Sequence, residues 1–207
     1  VTAAEIEKAL GQKVIIVNQP GASGSIGTKD ALEAPKDGYT WTSGAPKDLG
    51  SYKILGMVDT TVRDWHLYLH LALPTIFSVP VNSPKAKPGQ ISVGTAGVNS
   101  SGHTAIEQIV AATGVKYKHV TYDGGNPAVI ATVGGETEVT TQLAPEQAEM
   151  IKAKRLRPLA VVADQPLTIE GVGTIPPITD FIKDFPKVTT GFGIFIPKGV
   201  PPEVVAT

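Results

Sequence analysis

Cysteine is absent from this chain of 207 residues, which excludes disulfides and thiolate chemistry. Arginine is nearly absent, with only Arg63, Arg155 and Arg157, so bidentate guanidinium recognition of an acid has few sources. No sign of charge dominates: 18 Lys+Arg stand against 19 Asp+Glu, which argues against a nucleic-acid or polybasic membrane surface. No apolar run reaches the roughly 18 residues of a membrane-spanning helix. Low-complexity segments and long-period repeats are lacking too. What is abundant is glycine (22) and proline (17), the residues of many turns joining short elements. The length allows one large domain or two small ones. The first residue is Val1 rather than Met, so a processed or trimmed N-terminus is expected, with a signal peptide removed.

The chain is organised around Asn18–Thr28. An apolar run, Val14-Ile15-Ile16-Val17, is expected to be a strand feeding into it. Gly21, Gly24 and Gly27 then recur every third residue, and a helix start follows at Thr28-Lys29-Asp30. Glycines at this spacing let the backbone approach something closely, while Ser23, Ser25 and Thr28 supply hydroxyls. Free N–H groups at the following helix N-terminus favour an anion. A plain strand-to-helix connection with a capping serine is the alternative. Neither nucleotide motif fits. The P-loop order of Lys and Thr is wrong, and no pair among these glycines has the offset of two that a dinucleotide fingerprint needs.

In chain order, Thr2–Leu10 reads as a helix closed by Gly11. The helix after the glycine loop must stop by Pro35. A strand is expected at 40–42, ending in Ser43-Gly44, and another at Thr75–Val81. Only Asn82–Gln90 separates that strand from the next, Ile91–Thr95, which is short for a helical crossover between parallel strands. Residues are therefore expected to be missing between Pro84 and Lys85. From 91 onward the alternation is regular: strand 91–95, helix 104–113, strand 115–122, a helix capped by Asn126 with Pro127 at its first position, strand 137–143, a helix to Lys154, and strand 156–163. Such units predict an α/β protein with a mostly parallel sheet covered on both faces. Its loops open at one edge, where ligands bind in such sheets.

Five segments at predicted strand ends make up the candidate site. They contribute Gly21, Ala22, Ser23 and Gly24; Ser43 and Gly44; Thr95, Ser100, Ser101 and His103; Asp123 and Gly124; and Gln142. With no arginine in these loops, backbone N–H groups, hydroxyls and bridging waters would hold an anion. His66 and His70 stand four apart, but no acidic ligand lies nearby and no metal site is expected. Ser101 and His103 offer a nucleophile and a base. Their spacing is too local for a normal triad, and no G-x-S-x-G elbow exists, so a capping or ligand-contacting His103 is the stronger reading.

Four stretches carry a family resemblance. Gln19–Gly27 (QPGASGSIG) with Asp37-Gly38-Tyr39-Thr40, His119–Ala128 (HVTYDGGNPA), Lys154–Val161 (KRLRPLAV) and Phe192–Gly199 (FGIFIPKG) occur in the order seen in the extracytoplasmic solute receptors of tripartite tricarboxylate transporters. The chain resembles this Bug or TctC family along nearly its whole length. The resemblance implies a two-lobed fold of the type II periplasmic binding protein kind; two proline-marked runs that suit crossing segments, Ile76–Pro80 and Gly191–Pro197, put lobe one at 1–78 plus 189–207 and lobe two at 79–188. It implies a monomer outside the cytoplasm that closes on a small organic carboxylate, without cofactor or catalysis, and serves integral membrane transporter subunits. It also implies a second small-residue loop upstream of Val1. Asp123 stands where many relatives carry Lys, which is either a turn choice or a change in the charge preferred at the ligand's far end. A hydrolase using Ser101 and His103, and a receptor serving a sensor, remain the alternatives.

Overall fold

The computed structural model describes residues 2–83, 91–186 and 190–205. It opens with α1 (Thr2–Leu10), closed as expected by Gly11 in the left-handed conformation that glycine adopts without a Cβ penalty. Residues 13–20 then run without regular structure. The strand expected at Val14–Val17 is not formed: Ile15, Ile16 and Val17 are 77%, 67% and 72% exposed. An apolar run is only a strand when a neighbour completes its ladder, and no described strand pairs with this one. Next come α2 (Ser25–Glu33), which stops short of Pro35, β1 (Thr42–Gly44) and α3 (Pro46–Ile54). The α3 helix is absent from the sequence reading, although Pro46 at its first turn and Asp48 behind it are ordinary helix-start residues. The strand β2 (Trp65–Ala72) follows.

The remaining elements are β3 (Thr75–Pro80), β4 (Ile91–Thr95), α4 (Ser101–Thr113), β5 (Tyr117–Thr121), α5 (Gly125–Gly134), β6 (Val139–Leu143), α6 (Ala144–Lys152) and β7 (Leu156–Val161). A small hairpin, β8 (Leu167–Ile169) and β9 (Gly173–Ile175), precedes β10 (Gly191–Pro197) and α7 (Pro202–Val205). The strand–helix alternation from 91 to 161 is the one the sequence predicts, with boundaries moved by a few residues. One cap differs. Gly124, at φ 117°, caps α5, so Pro127 occupies its third position rather than its first.

Two main sheets result. The smaller has the order β1-β10-β2 and is antiparallel throughout. The larger has the order β5-β4-β6-β3-β7. Its parallel centre is β5-β4-β6, while β3 runs antiparallel between β6 and β7. Both β3 and β10 enter their sheets from the direction of the other lobe, which is why each runs against its neighbours. This also removes the premise of the short-crossover anomaly. Strands β3 and β4 are antiparallel and flank β6, so their ends are only about two strand spacings, ~10 Å, apart. The expected omission between Pro84 and Lys85 lies outside the described residues. Strand pairing passes from one sheet to the other at Leu73-Pro74, ahead of the expected residue 78. There Leu73 N–H donates to Thr190 O at 3.0 Å, tying the two crossing segments together.

Each sheet has its own core. Ala31, Leu49, Trp65 and Phe195 are 1–3% exposed and close the small lobe, where Trp65 Nε1 donates to Thr60 Oγ1 at 2.8 Å. The large sheet is covered on both faces, by α4 through Ala105, Ile106 and Ile109 and by α5 and α6 through Val129 and Ile151. A buried Gln147 links β3 to β6, donating to Ile76 O at 2.7 Å and Gln142 O at 2.8 Å.

Candidate functional site

The glycine loop is a tight left-handed turn. Gly21, Ala22, Ser23 and Gly24 have φ of 112°, 44°, 55° and 86° in succession. For Ala22 and Ser23 that conformation costs roughly 1–2 kcal/mol each, so neighbouring bonds must hold it. Tyr52 OH on α3 donates to Ser23 O at 2.8 Å, and Gly24 N–H donates to Gly21 O at 2.9 Å. Thr28 turns its hydroxyl back to Gly24 O at 3.1 Å, so among the loop hydroxyls it is Ser23 that faces outward to the other lobe. No side chain caps α2; its first N–H, that of Ser25, donates to Ala22 O, and the N–H groups that follow it lie beside the turn.

Facing this turn is the connection from β4 to α4. Thr95, fully buried at the end of β4, binds the ring of His119 through Oγ1 and Nε2 at 2.6 Å. Ser100 caps α4, accepting from His103 N–H at 3.2 Å. The His103 ring accepts from Asn99 N–H at Nδ1, 3.0 Å away, and stacks on His119 with centroids 4.2 Å apart and planes 2° from parallel. Burial pushes both imidazoles below their ordinary pKa. The Glu107 carboxylate, 3.6 Å from His103 Nε2, pulls the other way, while the Lys47 cation adds to the depression of His103. Glu107 also accepts from Tyr117 OH at 2.5 Å, and burial first, then Glu107, raises that phenol well above its usual range.

The two loops meet across the lobes. Ser23 Oγ donates to Val98 O at 2.5 Å, Lys47 Nζ to Asn99 O at 2.6 Å, and Asn99 Nδ2 to Ser51 Oγ at 2.5 Å. Lys47 is also paired with Asp48 at 2.7 Å, whose carboxyl burial raises above its ordinary value. Gly97 permits this approach, since a Cβ there would stand 2.7 Å from Ser23 Oγ.

Other expected residues sit around this meeting point in different ways. Gln142 is buried at the end of β6; its amide accepts from Ala96 N–H at 2.8 Å and donates to Glu146 at 3.2 Å, which anchors the 95–103 loop from below. Glu146 in turn accepts from Leu143 N–H at 3.0 Å and lies against Gly125, and burial raises its carboxyl. Thr141 Oγ1 donates to Gly102 O at 2.8 Å. Asp123 is exposed in the turn before Gly124. Ser43, exposed, and Gly44 pair with Ile194 and Gly193 in the small sheet, just before α3. Ser101 lines a crevice of about 10 Å³ with Thr75, Gln108 and Thr190, beside the crossing segments.

Thus the structure brings the 21–24 and 95–103 loops together, with Gln142 behind them. Beside the expected Ser23, the contacts that join the lobes fall to Lys47, Ser51 and Asn99, which the sequence does not single out. Lys47 and Ser51 belong to the unread helix α3; Pro46 was its available signal. His66 and His70 both lie on β2. Among the described residues no hydrogen bond joins Ser101 to His103.

Two lobes joined by paired crossings, with small-residue loops meeting between them, make up the two-lobed fold of periplasmic binding proteins. Residues 76–207 match the model of the tripartite tricarboxylate transporter family receptor, and the chain belongs to that family. A Pseudomonas protein from the tcbD–tcbE intergenic region is 30% identical over 97% of this chain. A solved structure described as a periplasmic transporter superposes with a TM-score of 0.87 at 27% identity, covering 99% of this chain and 72% of its own. An R. palustris protein solved with adipate gives 0.86 at 25% identity, again with 99% and 72% covered. The chain spans 63% of the length of the Pseudomonas relative.

Proposed function

We propose that this chain is the solute-binding part of an extracytoplasmic receptor. Its lobes close around a small organic carboxylate, and the closed form is read by integral membrane subunits of a tripartite transporter. Capture involves no bond making or breaking and no cofactor, and one chain suffices. The observation that carries the reading is the meeting of the glycine turn and α3 of one lobe with the 95–103 loop of the other, at Ser23–Val98 and Lys47–Asn99, beside the start of α2. Backbone N–H groups and hydroxyls there can hold a carboxylate without arginine, each charge-assisted bond contributing about 1.5–3 kcal/mol. Family membership and the adipate held by a relative support the same ligand class. Hinge closure is the mechanism such folds use.

A thermal-shift screen of mono-, di- and tricarboxylates, together with nicotinate-like acids, tests this. A true ligand at a hundredfold excess over its Kd stabilises by about 2.7 kcal/mol. Ser101→Leu in the large lobe and Ser43→Leu in the small lobe are then titrated by calorimetry with the acid that gives the largest shift. Both variants should fold and bind at least tenfold more weakly. No shift with any acid, or unchanged affinity in both variants, overturns the reading; turnover of an ester or amide analogue lost in Ser101→Ala would favour the hydrolase instead.

A further inference from the structure

We propose that Gly97–Asn99 is a latch between the two lobes, and that His103 positions it only while its Nδ1 is unprotonated, so that acid opens the protein. The latch is built from the three bonds that Ser23, Lys47 and Ser51 of the small lobe make to Val98 O, Asn99 O and Asn99 Nδ2. Asn99 sits at φ 67°, a left-handed conformation that asparagine tolerates better than most residues. Its carbonyl and its amide go to the small lobe, and its N–H goes to His103 Nδ1 at 3.0 Å. His103 is thus the large-lobe support of the latch.

That support depends on protonation state. A ring nitrogen that accepts from an N–H carries no proton, which places the single ring proton on Nε2, facing Glu107 at 3.6 Å. Uptake of a solvent proton at Nδ1 turns the acceptor into a donor aimed at the Asn99 N–H. The bond is lost, and the Asn99 backbone with it. The surroundings oppose that proton while the lobes are closed. From α3, the Lys47 cation faces the ring, and its partner Asp48 is already engaged with it. From β5, His119 stacks on the ring at 4.2 Å, so two charged imidazoles would lie face to face; Tyr117, neutral, stands beyond. β4 contributes the uncharged Thr95. On α4 itself, Glu107 favours the proton but is outweighed by burial.

Opening removes Lys47 and exposes the ring, so the open form takes the proton more readily than the closed form. The contribution of the latch to closure is therefore fully present above the ordinary histidine value near 6.5 and fades as pH falls below it. The closing equilibrium weakens by at most about tenfold per pH unit for one such proton.

The absence of cysteine makes a direct test simple. Glu33→Cys on α2 and Ala112→Cys on α4 are exposed positions on opposite lobes, and a donor–acceptor dye pair there reads lobe separation without any ligand. Energy transfer should be high at pH 8 and fall as pH drops below about 6.5, with the far-UV circular dichroism unchanged. His103→Asn places an amide oxygen near the Nδ1 position and cannot titrate, so transfer should stay high to pH 5. His103→Ala, with no acceptor, should read low throughout. Nitrogen-15 spectra of the His103 ring in the unsubstituted protein supply a check that needs no variant: the Nδ1 protonation midpoint should coincide with the loss of transfer. A flat profile in the parent, the same acid response in His103→Asn, a ring midpoint outside the transition, or unfolding in the same range would each overturn the proposal. Carboxylate binding in the thermal-shift screen is a separate readout, so this proposal and the receptor reading can fail independently.

Discussion

At Gly102 the second residue of α4 is pressed against the carbonyl of Thr141 on β6, whose hydroxyl returns a bond to Gly102 O. A Cβ there would fall well inside the van der Waals distance of that backbone oxygen. Gly102→Ala should therefore destabilise the protein by about 1–3 kcal/mol or more, seen as a lower urea midpoint at unchanged slope. Gly134, near the end of α5, has open space around its missing Cβ, and Gly134→Ala should leave the midpoint unchanged or raise it slightly. Equal effects of the two substitutions would show that the α4–β6 contact is not a tight one. The sequence revealed both glycines but not the difference between them. That difference is a contact between residues 39 positions apart.

The element with most influence on the site is α3. It is only nine residues long, yet it carries Lys47, Ser51 and Tyr52 toward the two loops. It is seated in the small-lobe core by Leu49, 1% exposed among Ala31, Trp65 and Phe195. Leu49→Ala should cost about 2–5 kcal/mol in thermal or urea unfolding. It should also weaken ligand binding, since the helix that anchors the site loses its seat. A loss of stability with affinity fully retained would mean the site does not depend on the placement of α3. The helix has no clear signal in the sequence because its apolar positions are sparse. Its stability comes mainly from the core it caps rather than from its own residues.

For the molecule as a whole, the described contacts across the lobes are few and polar. Removing one should shift the balance between closed and open without unfolding either lobe. Lys47→Met deletes the bond to Asn99 O and the ion pair with Asp48. Small-angle scattering at pH 8 should then show a larger radius of gyration than the parent, with an unchanged circular dichroism spectrum. An identical scattering curve would mean that Lys47 does not hold the lobes together.

By itself the sequence determined the local features. The stops at Gly11, Pro35 and Gly114, the strand–helix alternation from 91 to 161, and the small-residue loops at 21–24 and 95–103 each follow from steric limits or hydrophobic periods within a few residues. Tertiary structure decided everything that needs a partner from elsewhere in the chain. Val14–Val17 has a strand-like pattern and no ladder to join, so it stays irregular. Strands β3 and β10 run against their neighbours because they arrive from the other lobe. His103 and His119 stack only because parallel pairing of β4 with β5 sets Val93 beside His119, next to the start of α4. The bond from Ser23 to Val98 joins residues 75 apart, and no local pattern of side chains encodes which loop the turn at Gly21–Gly24 will meet.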